Sequence, residues 1–263
     1  MSSPVRLGTR LSFDTVVLDS PPNRNALSVQ LLTDLRDAVR ASVTSPSRGL
    51  LLTHTGPSFC SGVDLKERRS LPRTDTSHSL LLADVLRDLW AHPKPVVVVV
   101  DGAVRGGGLG LLACADVVLA TARSTFAYSE ARVGVAPALV MAVTLPLSDT
   151  RRLMPHLLGA TPFDVVVAHS LGLVSSVLPG RDDAAVDTVL DGVRRGAPAA
   201  LATIKRLARQ WSASDMDGLI EQMTELSADL FAADEAAEGM AAFAEHREPA
   251  WVGPDVSADR PAS

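Results

Sequence analysis

The first half of the chain alternates apolar runs typical of strands with stretches of helical periodicity. After Ser28, which suits a helix N-terminus, apolar residues recur at helical spacing through residue 39. Val96–Val100 is apolar and β-branched throughout, which is typical of a strand buried on both faces. We predict strands at residues 11–18, 49–55, 96–100 and 117–121, with helices between them at 31–39, 79–90 and 109–115. This alternation predicts an α/β fold with largely parallel strands.

After about residue 145 helical patterns dominate. We predict helices at residues 150–158, 182–195, 197–211, 216–231 and 234–246. Residues 59–65 follow a strand and are interpreted as a compact loop, and the polar segment 68–79 as a mobile connection. The tail from Glu248 contains three prolines and is expected to be loose.

Composition narrows the class of protein. The 263 residues are 46% hydrophobic and 21% charged, which predicts a folded chain with a sizeable core. The net charge of −5 and the lack of a dense basic run argue against a nucleic-acid partner. Cys60 and Cys114 are expected to be buried, reduced thiols, and His54 and His92 surface or structural groups. No histidine pair has metal-ligand spacing, so we expect no metal.

No membrane or export segment is predicted. Residues 1–10 are polar and lack the apolar stretch of a signal peptide. The most apolar segment, residues 95–122, carries three charged residues and five glycines, which argues against a membrane span. We therefore expect a cytoplasmic protein.

Two glycine-containing loops are candidates for anion binding. Gly106–Gly108 lacks the lysine of a P-loop, and Leu111 stands where a dinucleotide fingerprint needs its third glycine. These glycines can simply let a helix start tightly against a strand. Alternatively, backbone N–H groups of this loop and of residues 59–65 could converge on one carbonyl oxygen and form an oxyanion hole.

Several segments together resemble the enoyl-CoA hydratase/isomerase (crotonase) superfamily. They are residues 23–28, 59–65, 94–96, 101–108, 113–116, 172–174 and 234–243, in the family's order. The resemblance implies an α/β crotonase-like spiral of ββα units at residues 1–195. It implies a C-terminal helical trimerisation region at 196–263, giving a homotrimer or a dimer of trimers. It also implies an acyl-CoA thioester as the ligand and no separate cofactor.

The resemblance also implies the site residues. The oxyanion donors fall on the N–H groups of Val63 and Gly107, and the general acid/base falls on Glu130. The implied substrate-binding residues are Arg24, Ala26, Leu27, Ser61, Asp64, Leu65, Gly106, Gly110, Tyr128 and Ala138. Some of these residues have a structural alternative. Asp64 could cap a turn or helix, and Tyr128 could pack in the core. Arg24 and Lys66 could either contact the CoA phosphates or be solvated cations at the surface. Asp116 is expected to be structural.

One departure from the family bears on the reaction. Hydratases of this family normally use two carboxylates, and the first of them falls here on Gly110. A single glutamate at the position of Glu130 resembles the Δ3,Δ2-enoyl-CoA isomerases and also some hydratases. The dehalogenase branch needs an aspartate near Ala138, and none is there.

We therefore predict hydration of a 2-enoyl-CoA through one glutamate. The alternatives are double-bond isomerisation and a catalytically silent acyl-CoA-binding homologue. Residues 137–142 carry larger apolar side chains where the family often has glycines, which indicates a reshaped acyl pocket.

Overall fold

The computed structural model describes residues 3–212 and 216–247, and within these ranges the chain forms two β-sheets flanked by helices. The strands are β1 (Val5–Arg10), β2 (Phe13–Leu18), β3 (Gly49–His54), β4 (Ser58–Cys60), β5 (Val96–Val100), β6 (Ala103–Arg105), β7 (Val117–Thr121), β8 (Thr125–Ala127), β9 (Phe163–Asp164) and β10 (Ser176–Leu178). The helices are α1 (Val29–Thr44), α2 (Leu65–Ser70), α3 (Ser77–Trp90), α4 (Gly107–Ala113), α5 (Ala138–Thr144), α6 (Thr150–Gly159), α7 (Val165–Ser170), α8 (Asp183–Arg194), α9 (Pro198–Ser212), α10 (Met216–Ala232) and α11 (Asp234–Glu245).

The larger sheet has the strand order β1-β2-β3-β5-β7-β10, and the smaller sheet has the order β4-β6-β8-β9. In the larger sheet β1 and β2 pair antiparallel and the other neighbours pair parallel. In the smaller sheet β8 and β9 pair antiparallel and the other neighbours pair parallel. Parallel neighbours need crossover connections, and the helices supply them.

Successive strand pairs form a spiral. The first strand of each pair lies in the larger sheet and the second in the smaller one, as in β3/β4, β5/β6 and β7/β8. Gly102 joins β5 to β6 with a φ of +152°, and a Cβ there would stand 2.1 Å from the carbonyl oxygen of Pro57. A side chain at this corner is therefore excluded. The predicted spiral of ββα units is confirmed.

The core lies on both faces of the larger sheet. Val98 belongs to the cluster under α1 and α3, whereas the neighbouring Val97 packs in a second cluster with Leu190 of α8. The prediction that Val96–Val100 is covered on both faces is therefore confirmed. The antiparallel edge strand β1 is largely exposed.

Short polar side chains begin several helices. Ser28 accepts a hydrogen bond from the Leu31 N–H at the start of α1, as predicted. Asp64, Asp149, Asp164 and Asp182 accept from backbone N–H groups at the starts of α2, α6, α7 and α8. Each pairing satisfies a donor that the first helical turn leaves free.

The sequence-based description was wrong in several places, including the compact loop predicted at residues 59–65, whose first residues belong to β4. Residues 5–10 form strand β1, whose alternation is weak because most of its side chains face solvent. The strand predicted from residue 11 begins at Phe13, since Leu11 and Ser12 have positive φ and form the turn before it. Residues 65–70 form helix α2. Arg68 is buried there because its guanidinium donates hydrogen bonds to the carbonyls of Pro72 and Arg73.

Helices α6 and α8–α11 agree with the predicted ranges to within one residue at each end. The short helices α5 and α7 were not predicted. The boundary between residues 195 and 196 falls between α8 and α9, and its role as a domain boundary stays a prediction, as does trimerisation. The predicted loose tail lies outside the described residues.

In the part of the chain that the structure describes, helices that are both long and apolar enough to cross a membrane are absent.

Two glycines in C-terminal helices should respond oppositely to alanine. Gly192 is exposed in α8 with open space around it, so Gly192→Ala should raise the free energy of unfolding by about 1 kcal/mol through helix propensity. Gly239 of α11 lies against the backbone of Val133, and a Cβ would stand 2.4 Å from its carbonyl carbon. Gly239→Ala should therefore destabilise the fold. Denaturant unfolding of both variants checks this, and a destabilised Gly192→Ala would contradict it.

Candidate active site

A cavity of about 400 Å³, counting the space at its open mouth, lies between the two predicted loops and helices α3, α5 and α10. Val63 lines it just before α2, and Gly107 lines it at the first residue of α4. Glu130 and Ala138 stand in the same wall. The structure thus brings together the three residues predicted to be catalytic and one of those predicted to bind substrate.

Two backbone donors have no hydrogen-bond acceptor among the residues that the structure describes. The Leu27 N–H donates to the Gly62 carbonyl at 2.8 Å, and the Asp64 N–H donates to the Leu27 carbonyl at 3.3 Å. These bonds hold the loop on both sides of Val63. Within residues 3–212 and 216–247, neither the Val63 N–H nor the Gly107 N–H has an acceptor. Both can therefore donate to an oxygen in the cavity.

The turn before α4 brings backbone close to Glu130. Gly106 has φ +49° and ψ −123°, and its N–H donates to the Ala127 carbonyl at 3.1 Å. A Cβ on Gly106 would stand 2.9 Å from Oε1 of Glu130. The residue at this position must be glycine for the backbone conformation and for the close approach.

Glu130 begins a 3₁₀ helix, Glu130–Val133, shortly after β8. Helix α11 packs against that 3₁₀ helix, and the Val135 N–H donates to the Glu130 carbonyl. The side-chain Oε2 is buried and has no hydrogen-bond partner among the described residues. Burial disfavours the charged carboxylate and raises the pKa of Glu130 from about 4.5 to about 7. This carboxyl can therefore both accept and return a proton near neutral pH.

The position of the missing carboxylate is closed by apolar side chains. Gly110 is buried in α4, and a Cβ there would meet Leu86 at 3.2 Å and Val140 at 3.8 Å. Leu139 and Val140 of α5 also line the cavity. The larger apolar residues noted in the sequence therefore form part of its wall.

The other predicted contact residues surround the site without lining this cavity. Leu27 pairs with Val63, and its Cδ1 lies 2.6 Å from where a Cβ on Gly107 would stand. Ala26 is buried beside it, and the Ser61 hydroxyl donates to the Asn23 carbonyl at 3.2 Å. These residues support the loop that carries the Val63 N–H.

Asp64 caps α2, in agreement with the structural alternative stated above. Leu65 packs against the cluster around Val133 and Phe231, and Arg24 is exposed with φ +58°. Tyr128 is fully buried outside the cavity wall, where it stacks on Phe163, which favours core packing. Their roles in binding remain predictions.

The remaining singled-out residues are structural. Asp116 accepts from the Val96 N–H and pairs with Lys205 and Arg209. Cys60 and Cys114 are free and buried, as predicted.

His54 and His92 are buried rather than at the surface, because each ring is held in a hydrogen-bond network. His54 Nε2 accepts from the Asp101 N–H, and His92 bonds Ser42 and Lys94. Across the described ranges, no cluster of three or more His, Cys, Asp or Glu side chains could hold a metal ion.

Sequence reasoning missed His78 and Glu67. His78 lines the cavity, is 4% exposed, and places Nε2 2.9 Å from Oε2 of Glu67. His78 stands four and seven residues before Leu82 and Val85, so helical spacing was the signal that could have found it. His78 was not recognised as part of the apolar face of α3 because residues 68–79 were interpreted as a mobile connection.

The raised pKa of Glu130 predicts a pH-dependent effect on stability. The folded state holds a proton on Glu130 up to about pH 7, whereas the unfolded chain releases it near pH 4.5. The free energy of unfolding therefore falls as pH rises from about 4.5 to 7 and stays lower above that. Glu130→Gln should be more stable than the wild type by about 3 kcal/mol at pH 8 and by little at pH 4. Denaturant unfolding at both pH values measures this; a difference independent of pH would contradict it.

Comparisons with known proteins agree with this fold. The family described as enoyl-CoA hydratase/isomerase matches residues 12–254. An enoyl-CoA hydratase of Alternaria alternata is 31% identical over 233 residues, covering 87% of this chain and 77% of that protein. An enoyl-CoA isomerase/hydratase of Mycosarcoma maydis is 32% identical over 177 residues, covering 63% of this chain and 65% of that protein.

A solved enoyl-CoA hydratase structure from Mycobacterium avium superposes with a TM-score of 0.85 at 35% identity, covering 95% of this chain and all of the other. The family match covers most of the chain, and the structural match extends over the spiral and the C-terminal helices. The chain is a member of the enoyl-CoA hydratase/isomerase family and has the crotonase fold.

Proposed function

We propose that this protein adds water to a 2-enoyl-CoA thioester, with Val63 and Gly107 as oxyanion donors and Glu130 as the general acid/base. One observation carries the proposal: in the described part of the chain, a buried carboxylate oxygen without a hydrogen-bond partner shares a cavity with two N–H groups that lack acceptors. Leaving buried polar groups without hydrogen bonds costs folding stability. A bound thioester would pair them, because its carbonyl oxygen would accept from the Val63 and Gly107 N–H groups while Glu130 exchanges a proton with the reacting atoms.

The reaction follows from these positions. The Glu130 carboxylate takes a proton from water while the water oxygen bonds to C3 of the thioester. The electron pair of the C2=C3 bond moves towards the thioester oxygen, which receives hydrogen bonds from the Val63 and Gly107 N–H groups. Glu130 then returns its proton to C2, so that one water is added and the carboxylate is restored. A pKa of about 7 suits a carboxyl group that must first accept a proton from water and then donate it to C2.

The two N–H groups supply the largest part of the stabilisation in this account. Negative charge grows on the thioester oxygen only as the reaction proceeds, so preformed donors favour the transition state over the bound substrate. One such donor contributes on the order of 3 kcal/mol to lowering the barrier.

The CoA portion would extend from the cavity along the segment that carries Val63. Arg24 and Lys66 are exposed cations near this segment, and we assign them to the CoA phosphates. The proposed steps need no cofactor besides the CoA of the substrate. A homotrimer or a dimer of trimers in the cytoplasm is the proposed assembly and location.

A second function, migration of a double bond, is favoured by the surroundings of Gly110. Leu86 and Val140 close the direction in which a second carboxylate would project, so the described wall lacks a second carboxylate to hold water. With a 3-enoyl-CoA, Glu130 would take a proton from C2 and return it to C4. One base suffices for that transfer, and the relative from Mycosarcoma maydis carries both activities in its name.

Mass spectrometry separates these functions. Purified protein is incubated with 2-enoyl- and 3-enoyl-CoA thioesters of several chain lengths, beside Glu130→Gln. A gain of one water from a 2-enoyl-CoA supports hydration, whereas a chromatographic shift of a 3-enoyl-CoA without mass change supports isomerisation. Binding of thioesters with no conversion of any of them would contradict both and favour the silent homologue.

A further inference from the structure

A buried histidine in the cavity wall has one ring nitrogen without a hydrogen-bond partner among the described residues. The His78 side chain is 5% exposed, and its Nε2 lies 2.9 Å from the Glu67 carboxylate. A carboxylate only accepts hydrogen bonds, so Nε2 carries a proton, and in the neutral tautomer with that proton on Nε2 the Nδ1 atom is an acceptor. No described residue donates to that Nδ1.

Glu67 is itself held in place, which fixes the orientation of the imidazole. Its Oε2 accepts a second hydrogen bond, from the Val29 N–H at 2.9 Å, at the start of α1. The ring is therefore locked between α1, α2 and the cavity, and the acceptor at Nδ1 is preorganised.

A free donor lines the same cavity. The hydroxyl oxygens of Ser79 on α3 and Ser227 on α10 are buried and lie 3.2 Å apart. One hydroxyl donates to the other, so the second O–H has no acceptor within the described part of the chain. The wall thus offers one unused acceptor and one unused donor among apolar side chains such as Leu82 and Phe231.

We propose that this wall is a subsite for a hydroxyl group on the acyl chain, beyond C3, of the CoA thioester. The hydroxyl would donate to His78 Nδ1 and accept from the Ser79–Ser227 pair. The inference rests on the proposed function, because it takes the cavity to be the acyl pocket. A plain alkyl chain would leave both groups unpaired, and a carboxylate could not donate to Nδ1.

The test measures binding of saturated thioesters, which undergo neither hydration nor isomerisation. Calorimetry compares 4-hydroxybutyryl-CoA with butyryl-CoA, 5-hydroxypentanoyl-CoA with pentanoyl-CoA, and 6-hydroxyhexanoyl-CoA with hexanoyl-CoA. We expect the hydroxylated member of at least one pair to bind the wild type about tenfold more tightly. Three lengths are used so that the hydroxyl is presented at different depths.

Variants identify the groups responsible. His78→Gln keeps an amide donor for Glu67, but its acceptor oxygen is bonded to the same carbon as that donor and does not stand at the Nδ1 position, so the variant should abolish the preference, and Ser227→Ala should reduce it. His156→Gln is the matched control, because His156 also has an unpartnered Nδ1 but lies against Phe163 outside the cavity wall. His156→Gln should bind every thioester as the wild type does, and for His78→Gln and Ser227→Ala the quantity compared is the ratio of affinities within each pair.

Equal binding of both members in every pair, or a preference that survives in His78→Gln, overturns the inference and leaves the proposed function standing. Failure of every CoA thioester to bind would overturn the proposed function and the inference with it.

Discussion

We expect Glu130→Gln to lower the rate of water addition to a 2-enoyl-CoA by about 10²–10⁴-fold, the range typical for loss of a general acid/base. The amide has the shape of the carboxyl but cannot take the proton from water or return one to C2. Because Oε2 has no hydrogen-bond partner and the carboxylate forms no ion pair among the described residues, the substitution breaks no ion pair there. Steady-state rates for both proteins measure the effect.

The control for this substitution is Glu221→Gln, an exposed position on α10, which should keep the wild-type rate. Affinity for saturated butyryl-CoA should stay within about twofold in Glu130→Gln, since the proton transfer contributes to the transition state and not to ground-state binding. A Glu130→Gln protein with wild-type turnover would show that Glu130 is not the base.

Gly106→Ala should have the second large effect, a fall in kcat/KM of about 10²-fold or more. The backbone conformation at Gly106 is one that a residue with a Cβ adopts only with strain of about 1–3 kcal/mol. The new methyl group would stand 2.9 Å from Glu130 Oε1, so it would displace the carboxylate, the adjoining Gly107 N–H, or both. Displacement of about 1 Å at such a centre is enough for a loss of this size.

Gly180→Ala is the matched control, because space around Gly180 is open and its φ is not positive. It should retain both stability and activity. Circular dichroism and thermal unfolding establish that Gly106→Ala is folded at the assay temperature. An active Gly106→Ala protein would contradict the close approach of the loop and the carboxylate.

The order of the larger elements was predictable because their signals are local. Val96–Val100 is uniformly apolar, and the helices after residue 145 carry clear periodicity, so their ranges agree with the structure. Strand β1 escaped prediction because an exposed edge strand lacks strong alternation. Helix α2 was not predicted because a six-residue helix with a single apolar residue, Leu65, is too short to show a helical period.

The site was predictable only as far as the motifs reach. The positions of Val63, Gly107 and Glu130 came from the family resemblance, and the structure brings them to one cavity. The pairing of Ser79 with Ser227 could not be predicted from sequence, because they lie 148 positions apart and meet through the packing of α10 on α3. The burial that raises the pKa of Glu130 is likewise a property of the folded chain.

Reaction of but-2-enoyl-CoA in deuterated water shows whether the protein adds water across C2=C3 with Glu130 as the acid/base. We predict a product carrying a hydroxyl at C3 and one deuterium at C2, formed by the wild type and reduced about 10²–10⁴-fold in Glu130→Gln. Recovery of unchanged thioester from the wild type would show that the protein is not a hydratase for this substrate, and equal product from both proteins would show that Glu130 is not the acid/base.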